Sequence, residues 1–480
     1  MTANAPLLVV ALDAGDPERI LKGTRTGELP VLASLVERGA VARLFGPESV
    51  SVHGTWATLF SGLSLAEHGG YARRSLRPGR YALEPAPLHE ATPFWADLDG
   101  AEILTVDAPE IDPIPHLAGR QLAHWGDHPT SRPAIAVPPD LVEHARRLVG
   151  PRIASDERQR GGRRRDRRVR SALLRRIERK GRLVRALLAE RAARVVVVGF
   201  GDTHAAGHRF GKYETNGDPL AGALREVYAA IDREIGRTIE AFAEAPNVFV
   251  LADSGIREGQ PLGATMDDLC RALGYKASRG PTLGARLRGR LTPLLSVRAR
   301  TALREARFLG GTDWSRTTAF AIPSSYTGYL RVNLAGREPQ GIVAPGAEYE
   351  ALLDRLTADL ELLVDAATRE PVVESITRTT SAFGGGPPAR LPDLFVDFRP
   401  CALPQRIEHP RATIVRRRAG DLRDNNHSRR GLAIAAGPAV ARRGDVGDVP
   451  PSAIAPVFRA VLGEAPAPAA LGAGVAAFLA

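Results

Sequence analysis

The most regular feature of the sequence is a set of short apolar runs that show no alternation with polar residues. Three of them are clear: residues 6–12, 194–200 and 247–252. Such runs predict parallel strands that other elements cover on both faces. Helical spacing over about 222–243 joins the second run to the third as a strand–helix–strand unit. We therefore predict an α/β fold, a three-layer sandwich around a mostly parallel central sheet, with cap insertions.

Acidic residues follow each of these three runs within two positions. Asp13 follows the first run, Asp202 the second and Asp253 the third. In an open α/β sheet, sites are built at the carboxyl ends of the strands. The three carboxylates are therefore candidates for one shared site, although Asp13 by itself equally fits the N-cap of the helix that follows it.

The remaining sequence is less regular and predicts insertions into this core. Residues 90–150 are rich in proline, histidine and tryptophan, and arginine-rich helices follow them. We predict one main domain over 1–440, interrupted by a cap insertion at about 90–190 and by a second insertion at 256–415. Residues 441–480 are then a C-terminal extension, with an Ala/Pro/Gly-rich tail.

The net charge of +11 and the pI near 10.2 are concentrated in one segment. Between Arg152 and Arg194 the chain has 17 basic and 5 acidic residues, which leaves the remainder close to neutral. Apolar positions at helical spacing within it predict an amphipathic helix pair, broken near Gly181. A polyanion-binding surface is one interpretation. A solvated insertion in an arginine-biased chain is the preferred one, because the aromatic residues that single-strand binding uses are missing there, so nucleic acid is not the expected partner.

The sequence gives three indications of the cellular compartment. Its apolar runs fall short of the roughly 18 residues of a membrane helix, so no membrane span is expected. The first apolar run is not preceded by a basic region, and we interpret it as a strand rather than a signal peptide. Two cysteines, Cys270 and Cys401, are too few for a disulfide framework or a cysteine-based zinc site. We expect a cytoplasmic protein.

Histidines supply the second candidate chemistry. Only 11 are present, yet His204 and His208 lie four residues apart directly after the second predicted strand. That spacing suits two imidazoles on one metal ion. A solvated loop explains the pair equally well when it is taken alone, and His427 alone indicates nothing. The order of the motifs along the whole chain changes this balance.

Seven motifs occur in a characteristic order: Asp13-Ala-Gly-Asp16, Trp56, Ser61-Gly62, Glu67-His68-Gly69, His204 with His208, Asp253-Ser254-Gly255, and His427 before Gly431 and Gly437-Pro438. This order resembles the alkaline phosphatase superfamily. The resemblance is to its type I phosphodiesterase and nucleotide pyrophosphatase-like branch, and to the related bacterial phosphohydrolase/phosphomutase-like proteins. It covers roughly residues 6–440.

The resemblance implies a metal-dependent hydrolase of phosphate esters, of phosphodiester or nucleotide pyrophosphate type, acting on a small-molecule substrate with one or two divalent metal ions. In this sequence the ligands of one metal site correspond to His204, His208 and His427, a three-histidine set that suits zinc and leaves one coordination position open. In the family, the second metal site also uses the nucleophile and a histidine. Here the residues that remain for that second site are Asp13 and Asp253.

Three positions depart from the family pattern. The nucleophile register falls on Val52, and Ser254 stands where the family has histidine. His204 stands where the family has aspartate, unless Asp202 takes that place. Ser51 is the nearest hydroxyl and is our predicted catalytic nucleophile. Thr55 is expected to bond back to its own turn. Direct attack by water at the metal, a degenerate family member that keeps the fold and perhaps one metal, and a polyanion-binding protein remain the alternatives.

Overall fold

The structure is a computed structural model of the 480-residue chain. It describes residues 5–98, 100–126, 132–153, 162–214, 218–259, 262–279, 311–400, 406–415, 425–464 and 477–479. Cys401 and the longer part of the predicted C-terminal tail lie outside these ranges.

Within the described residues the chain alternates between strands and helices. The strands are β1 (Leu7–Leu12), β2 (Ala40–Leu44), β3 (Arg74–Leu76), β4 (Leu83–Pro85), β5 (Ile103–Val106), β6 (Gly119–Ala123), β7 (Ile135–Val137), β8 (Val195–Phe200), β9 (Asn247–Ala252), β10 (Gly255–Glu258), β11 (Ala319–Ile322), β12 (Gly328–Val332), β13 (Val364–Asp365), β14 (Val373–Arg378), β15 (Leu394–Phe398), β16 (Arg406–His409), β17 (Ala412–Val415), β18 (Asn425–Ser428), β19 (Gly431–Ala436) and β20 (Gly444–Val449). The α-helices are α1 (Pro17–Thr26), α2 (Pro30–Arg38), α3 (Thr55–Ser61), α4 (Leu65–His68), α5 (Leu141–Val149), α6 (Arg163–Glu190), α7 (Asp202–Phe210), α8 (Ala223–Ile239), α9 (Met266–Ala272), α10 (Ala347–Glu361), α11 (Thr379–Phe383) and α12 (Ile454–Val461).

The chain divides into two compact units. The first consists of residues 1–68, 88–256 and 427–480, and the second of 69–87 and 257–426. A nine-stranded sheet forms the centre of the first unit, in the order β20-β2-β19-β9-β1-β8-β5-β6-β7. Its pairings are parallel except where β19 and β7 join their neighbours. The predicted fold class, an α/β protein around a mostly parallel sheet, is confirmed.

Strand β1 shows why the three apolar runs carry no alternation. Leu8, Val10 and Leu12 face a core shared with helices α1, α2 and α5 to α8. Leu7, Val9 and Ala11 face a second core with α3 and α12. Because helices cover both faces of the sheet, both sets of side chains must be apolar.

The register between neighbouring strands determines where the polar residues that follow β1, β8 and β9 lie. Leu12 of β1 pairs with Phe200 of β8 on one side and with Ala252 of β9 on the other, both in parallel. The residues that follow these three strands therefore leave the sheet at one edge. Strand β19 runs antiparallel to β9, with Leu432 opposite Ala252, so the chain enters β19 from that same edge.

The second unit is built on antiparallel sheets. Its four-stranded sheet has the order β11-β12-β15-β14, and a three-stranded sheet has the order β13-β16-β17. Helices α9 and α10 pack in the core of this unit, which includes Cys270 and Leu353. Cys270 is a buried free thiol. The two-stranded pairing of β10 with β18 carries the chain out of the first unit and back into it.

Part of segment 90–190, which the sequence predicts to be a cap insertion, contributes strands to the central sheet. Strands β5, β6 and β7 extend it beyond β8, and β5 pairs with β8 in parallel. The C-terminal segment after residue 440 likewise contributes β20, which pairs in parallel with β2. Strands β5, β6 and β7 are only three to five residues long, and β20 contains aspartates and glycines, so their sequences lack the long apolar runs that mark β1, β8 and β9. A substrate-selecting cap stays a prediction.

The arginine-rich segment forms one continuous helix over the described residues 163–190, where the sequence predicts a pair broken near Gly181. Gly181 is buried, and a Cβ atom there would meet the Glu234 carboxylate of α8 at 2.0 Å. The glycine therefore permits close packing of α6 on α8 instead of ending a helix.

None of the helices in the described part of the chain combines the length and the apolar character that a membrane crossing requires.

Candidate metal centre

Two aspartates meet at the carboxyl edge of the central sheet. Asp13 follows β1 and donates its backbone N–H to the Phe200 carbonyl of β8 at 3.2 Å. Asp253 follows β9 and accepts the backbone N–H of Ala14 at 2.8 Å. Ala14 holds a left-handed conformation, with φ of 49°, that turns the chain away from the strand. The three central strand ends are thus joined by hydrogen bonds next to both carboxylates.

Three histidines converge beside them. His204 and His208 lie one turn apart on α7, and His427 comes from β18. One ring nitrogen from each lies within 4.8 Å of the others. The Nε2 atoms of His208 and His427 are 3.1 Å apart, a separation at which two imidazoles share a proton or a cation. The spacing of four residues does place both α7 histidines on one face of the helix.

Neighbouring side chains orient two of these rings. His204 has its Nδ1 atom 3.0 Å from Asp13 Oδ2. His427 has its Nδ1 atom 3.5 Å from the Ser254 hydroxyl, which also donates to Asp253 Oδ2 at 3.0 Å. A metal-binding histidine characteristically uses its second nitrogen in this way, because the bond fixes the ring and its tautomer. The donor set, three converging imidazoles with such support, fits a zinc ion.

The carboxyl group of Asp253 is strongly perturbed by its surroundings. Burial raises the pKa of its carboxyl to about 8, and the nearby charge of Asp13 acts in the same direction. A buried carboxylate beside a second one needs a proton or a cation to compensate the charge. The Asp13–Asp253 pair therefore fits a second cation, as the family arrangement implies.

Asp202 lies elsewhere, although it directly follows β8. Its carboxylate accepts from Arg176 Nε of α6 at 2.7 Å, and both side chains are buried. At the other end of α7, Arg209 Nε donates to Asp166 of α6 at 2.7 Å. Helix α6 thus holds both ends of the helix that carries two of the three histidines. Asp202 is therefore engaged by α6, whereas His204 lies together with His208 and His427.

Ser51 lies in the turn before α3 and is buried. Its hydroxyl accepts the backbone N–H of His53 at 3.2 Å. The Thr55 hydroxyl donates to the Ser51 carbonyl at 3.4 Å, the local bond expected of it. The nucleophile assignment to Ser51 stays a prediction.

His68, from the Glu67-His68-Gly69 motif, connects α4 to α3. Its Nε2 atom is 2.9 Å from the Thr58 hydroxyl, and the ring is fully buried. Burial lowers the pKa of His68 to about 4, so the ring stays neutral at physiological pH. Its role here is to pack and orient α3.

Glu110 is a candidate that the sequence did not reveal. It lies in the loop after β5 with a left-handed φ of 60°. Desolvation, followed by the charges of Asp253 and Asp13, raises the pKa of its carboxyl to about 8, while the backbone amides of Gly54 and Ala57 act in the opposite direction. The residue is exposed, and the group of side chains that could hold a metal ion among the described residues does not include it. Recognising β5 as a strand of the central sheet was the missing step, because Glu110 follows that strand by four residues.

Comparison with known proteins agrees with this architecture. The family model for type I phosphodiesterase / nucleotide pyrophosphatase matches residues 7–303. No curated protein matches the chain by sequence.

Solved structures show similar folds at low sequence identity. An inactive variant of murine ectonucleotide pyrophosphatase / phosphodiesterase 5, solved in complex with AMP, is 12% identical with a TM-score of 0.50, covering 97% of this chain and 96% of that one. Phosphonoacetate hydrolase from Sinorhizobium meliloti 1021, solved in complex with phosphonoformate, is 13% identical with a TM-score of 0.49 over 90% of each chain. Since the family match spans more than half of the sequence, the chain belongs to the type I phosphodiesterase / nucleotide pyrophosphatase family of the alkaline phosphatase superfamily, a family of phosphoester hydrolases.

Proposed function

We propose that this protein is a metal-dependent hydrolase of small phosphodiesters or nucleotide pyrophosphates. The observation that carries the proposal is the convergence of His204, His208 and His427 within 4.8 Å at the sheet edge that also presents Asp13 and Asp253. Family members use divalent metals. The nitrogen donors of the histidine half make zinc the metal we assign to it.

Each residue has a distinct part in this proposal. His204, His208 and His427 hold one zinc ion, and Asp13 and Asp253 serve the second cation. Bound divalent metals supply charge neutralisation on the phosphoryl oxygens, which phosphoryl transfer requires. Asp13 also fixes the His204 ring, and Ser254 fixes His427.

Ser51 is the nucleophile in this mechanism. Its Oγ atom loses its proton and bonds to phosphorus, while the P–O bond to the alcohol or nucleotide group breaks and that oxygen takes up a proton. Water then cleaves the Oγ–P bond, which restores the serine hydroxyl and releases the remaining phosphate product. Its place in the turn before α3 supports this role, since the family's nucleophile register falls on the adjacent Val52.

Hydrolysis of a generic aryl phosphodiester by the purified, zinc-loaded full chain tests the proposal. Ser51→Ala should lower the rate by at least about a thousand-fold with metal content intact, as loss of a nucleophile does. Ser49→Ala is the matched control. Ser49 is also buried in this turn, and its hydroxyl accepts the backbone N–H of Gly46 at 3.2 Å.

Two other results would redirect the assignment. Activity that survives Ser51→Ala but disappears in Asp13→Ala identifies water as the attacking group. A fully metal-loaded wild-type chain that hydrolyses no phosphate ester is a degenerate family member, and the proposal then fails.

We also assign the protein to the cytoplasm. Two cysteines in 480 residues, with Cys270 a buried free thiol, favour a reducing compartment. Recovery of the native protein from an extracytoplasmic fraction would contradict this assignment.

A further inference from the structure

The segment that carries Ser51 is contacted at both of its ends by the C-terminal part of the chain. Strand β20 pairs in parallel with β2, and its last residue, Val449, accepts the backbone N–H of Phe45 at 3.1 Å. At the other end, a Cβ atom on Gly62, which follows α3, would lie 3.4 Å from the Ser452 carbonyl oxygen. The turn before α3 and α3 itself therefore lie between two contacts with the C-terminal part.

Glu48 links the turn itself to this part of the chain. It belongs to the short 3₁₀-helix Pro47–Val50, which ends directly before Ser51, and it is only 8% exposed. Its Oε1 atom accepts the Ser452 hydroxyl at 2.8 Å. Its Oε2 atom is buried and has no hydrogen-bond partner among the described residues. The Ser452 hydroxyl is thus a polar partner of a buried acidic side chain in the turn.

The Glu48 carboxyl group should respond strongly to the loss of this bond. Burial of an unpaired polar group is unfavourable, so without the Ser452 hydroxyl the carboxyl group should move toward water. Its surroundings are closely packed, since a Cβ atom on Gly46 would lie 3.1 Å both from Glu48 Oε2 and from a Pro450 carbon. In such packing the backbone of the turn has to move with the side chain, and Ser51 moves with the backbone.

We propose that Ser452 is a positioning residue, which holds the turn that carries Ser51 through its hydrogen bond to Glu48. The inference rests on the proposed function, because it takes Ser51 as the nucleophile. Attack on phosphorus depends on the place of the attacking oxygen, and a displacement of about 1 Å can cost about a hundred-fold in rate. Ser452 acts through Glu48 and not through a metal ligand, so its loss should lower kcat and leave zinc bound.

Steady-state hydrolysis of the aryl phosphodiester by the zinc-loaded full chain tests this. Ser452→Ala should lower kcat by at least about ten-fold, with KM changed by less than about two-fold and zinc content equal to that of the wild type. Ser452→Thr keeps the hydroxyl and should keep kcat within about two-fold of the wild type. Ser315→Ala is the matched control with an unchanged kcat, because the Ser315 hydroxyl also donates to a carboxyl group, that of Asp313 at 2.7 Å, but belongs to the second unit.

Hydrogen exchange of the backbone amides reports on the turn without any activity. In Ser452→Ala the amides of residues 46–53 should exchange at least about ten-fold faster than in the wild type, while the amides of α7 keep their rates. One of these amides is that of Ser49, which donates to the Gly46 carbonyl at 3.0 Å. A chain that shows this difference but hydrolyses no phosphate ester refutes the proposed function and leaves the support of the turn by Ser452 intact.

Several results would overturn the inference. They are an active wild type whose kcat is unchanged in Ser452→Ala, an unchanged exchange rate in the turn, a loss of zinc from Ser452→Ala, and a kcat in Ser452→Thr as low as that in Ser452→Ala. Should Ser452→Ala fail to fold, Ser452→Cys decides, because a thiol fills the same space but donates only a weak hydrogen bond and must also lower kcat.

Discussion

The two halves of the candidate metal centre differ in the charge of the groups that form them. The histidine half gathers three imidazoles, which carry no charge when neutral, within 4.8 Å of one another. The carboxylate half consists of Asp13 and Asp253, and burial raises the pKa of Asp253 to about 8. Neutral imidazoles can lie close together without a metal ion at little electrostatic cost. Two adjacent carboxylates repel each other unless a proton or a cation compensates their charge. The first half is therefore a pre-formed site, and the second depends on what occupies it.

Their supports differ as well. Helix α7, which carries two of the histidines, is held at both ends by buried ion pairs from α6, Arg176–Asp202 and Asp166–Arg209. The inner face of the most basic segment of the chain thus serves the metal centre. The arginines on that face of α6 pair with buried carboxylates, so they do not contribute to a surface that could bind a polyanion.

The largest expected effect is the loss of zinc from a double variant. His208→Ala with His427→Ala leaves His204 alone, and one imidazole does not hold zinc at the affinity of a three-histidine site. Zinc content, measured by elemental mass spectrometry, should fall from about one ion per chain to background.

His144→Ala is the control for this experiment, because His144 lies on α5 beside Glu190 and away from the three histidines. An unchanged zinc content in the double variant would show that these histidines do not bind the metal.

The elements around the site differ in how far the sequence predicts them. The four-residue spacing of His204 and His208 is a local signal, and α7 realises it directly. The apolar runs likewise predict β1, β8 and β9, and so the shared sheet edge that Asp13 and Asp253 follow. The place of β5 in the sheet left no local signal, because it depends on a long-range pairing of a four-residue strand with β8 that no sequence periodicity identifies.

Long-range packing explains the other differences from the sequence-based prediction. Gly181 indicates a helix break when only α6 is considered, yet the partner helix α8 requires a small residue there. Asp202 is a candidate ligand by its position after β8, yet Arg176, 26 residues earlier, holds it. In each case a residue outside the local window decides the outcome.

A second prediction concerns the support of the histidine half. Arg176→Met removes the partner of a fully buried carboxylate, Asp202, and should lower the free energy of unfolding by about 3–5 kcal/mol. Its neighbour Arg175 is exposed on the same helix, and Arg175→Met should change stability by no more than about 0.5 kcal/mol. Denaturant unfolding of both variants measures the difference. Equal effects would mean that the buried pair does not hold α7.

The smallest effect is the pH dependence of the metal-free protein, which addresses the carboxylate half. The pKa of Asp253 rises from 3.8 to about 8 on folding, because burial and Asp13 disfavour its charged form. Below about pH 4 both states are protonated. As pH rises from there to about 8, the unfolded chain loses its proton first, and the folded state becomes less stable. One such carboxyl contributes at most about 1.4 kcal/mol per pH unit, or about 2 kcal/mol between pH 6 and 7.5.

Unfolding of the metal-free wild type and of Asp253→Asn at several pH values isolates this contribution. The amide cannot titrate, so the variant should lose the part of the decline that belongs to Asp253, and saturating Mn²⁺ should remove the decline in the wild type by supplying the missing positive charge. A wild type whose metal-free stability is flat over this range, or a variant that declines just as steeply, would mean that the carboxylate half carries no unbalanced charge. The carboxylate half would then be as stable without a bound cation as the histidine half, and the difference between the two halves would disappear.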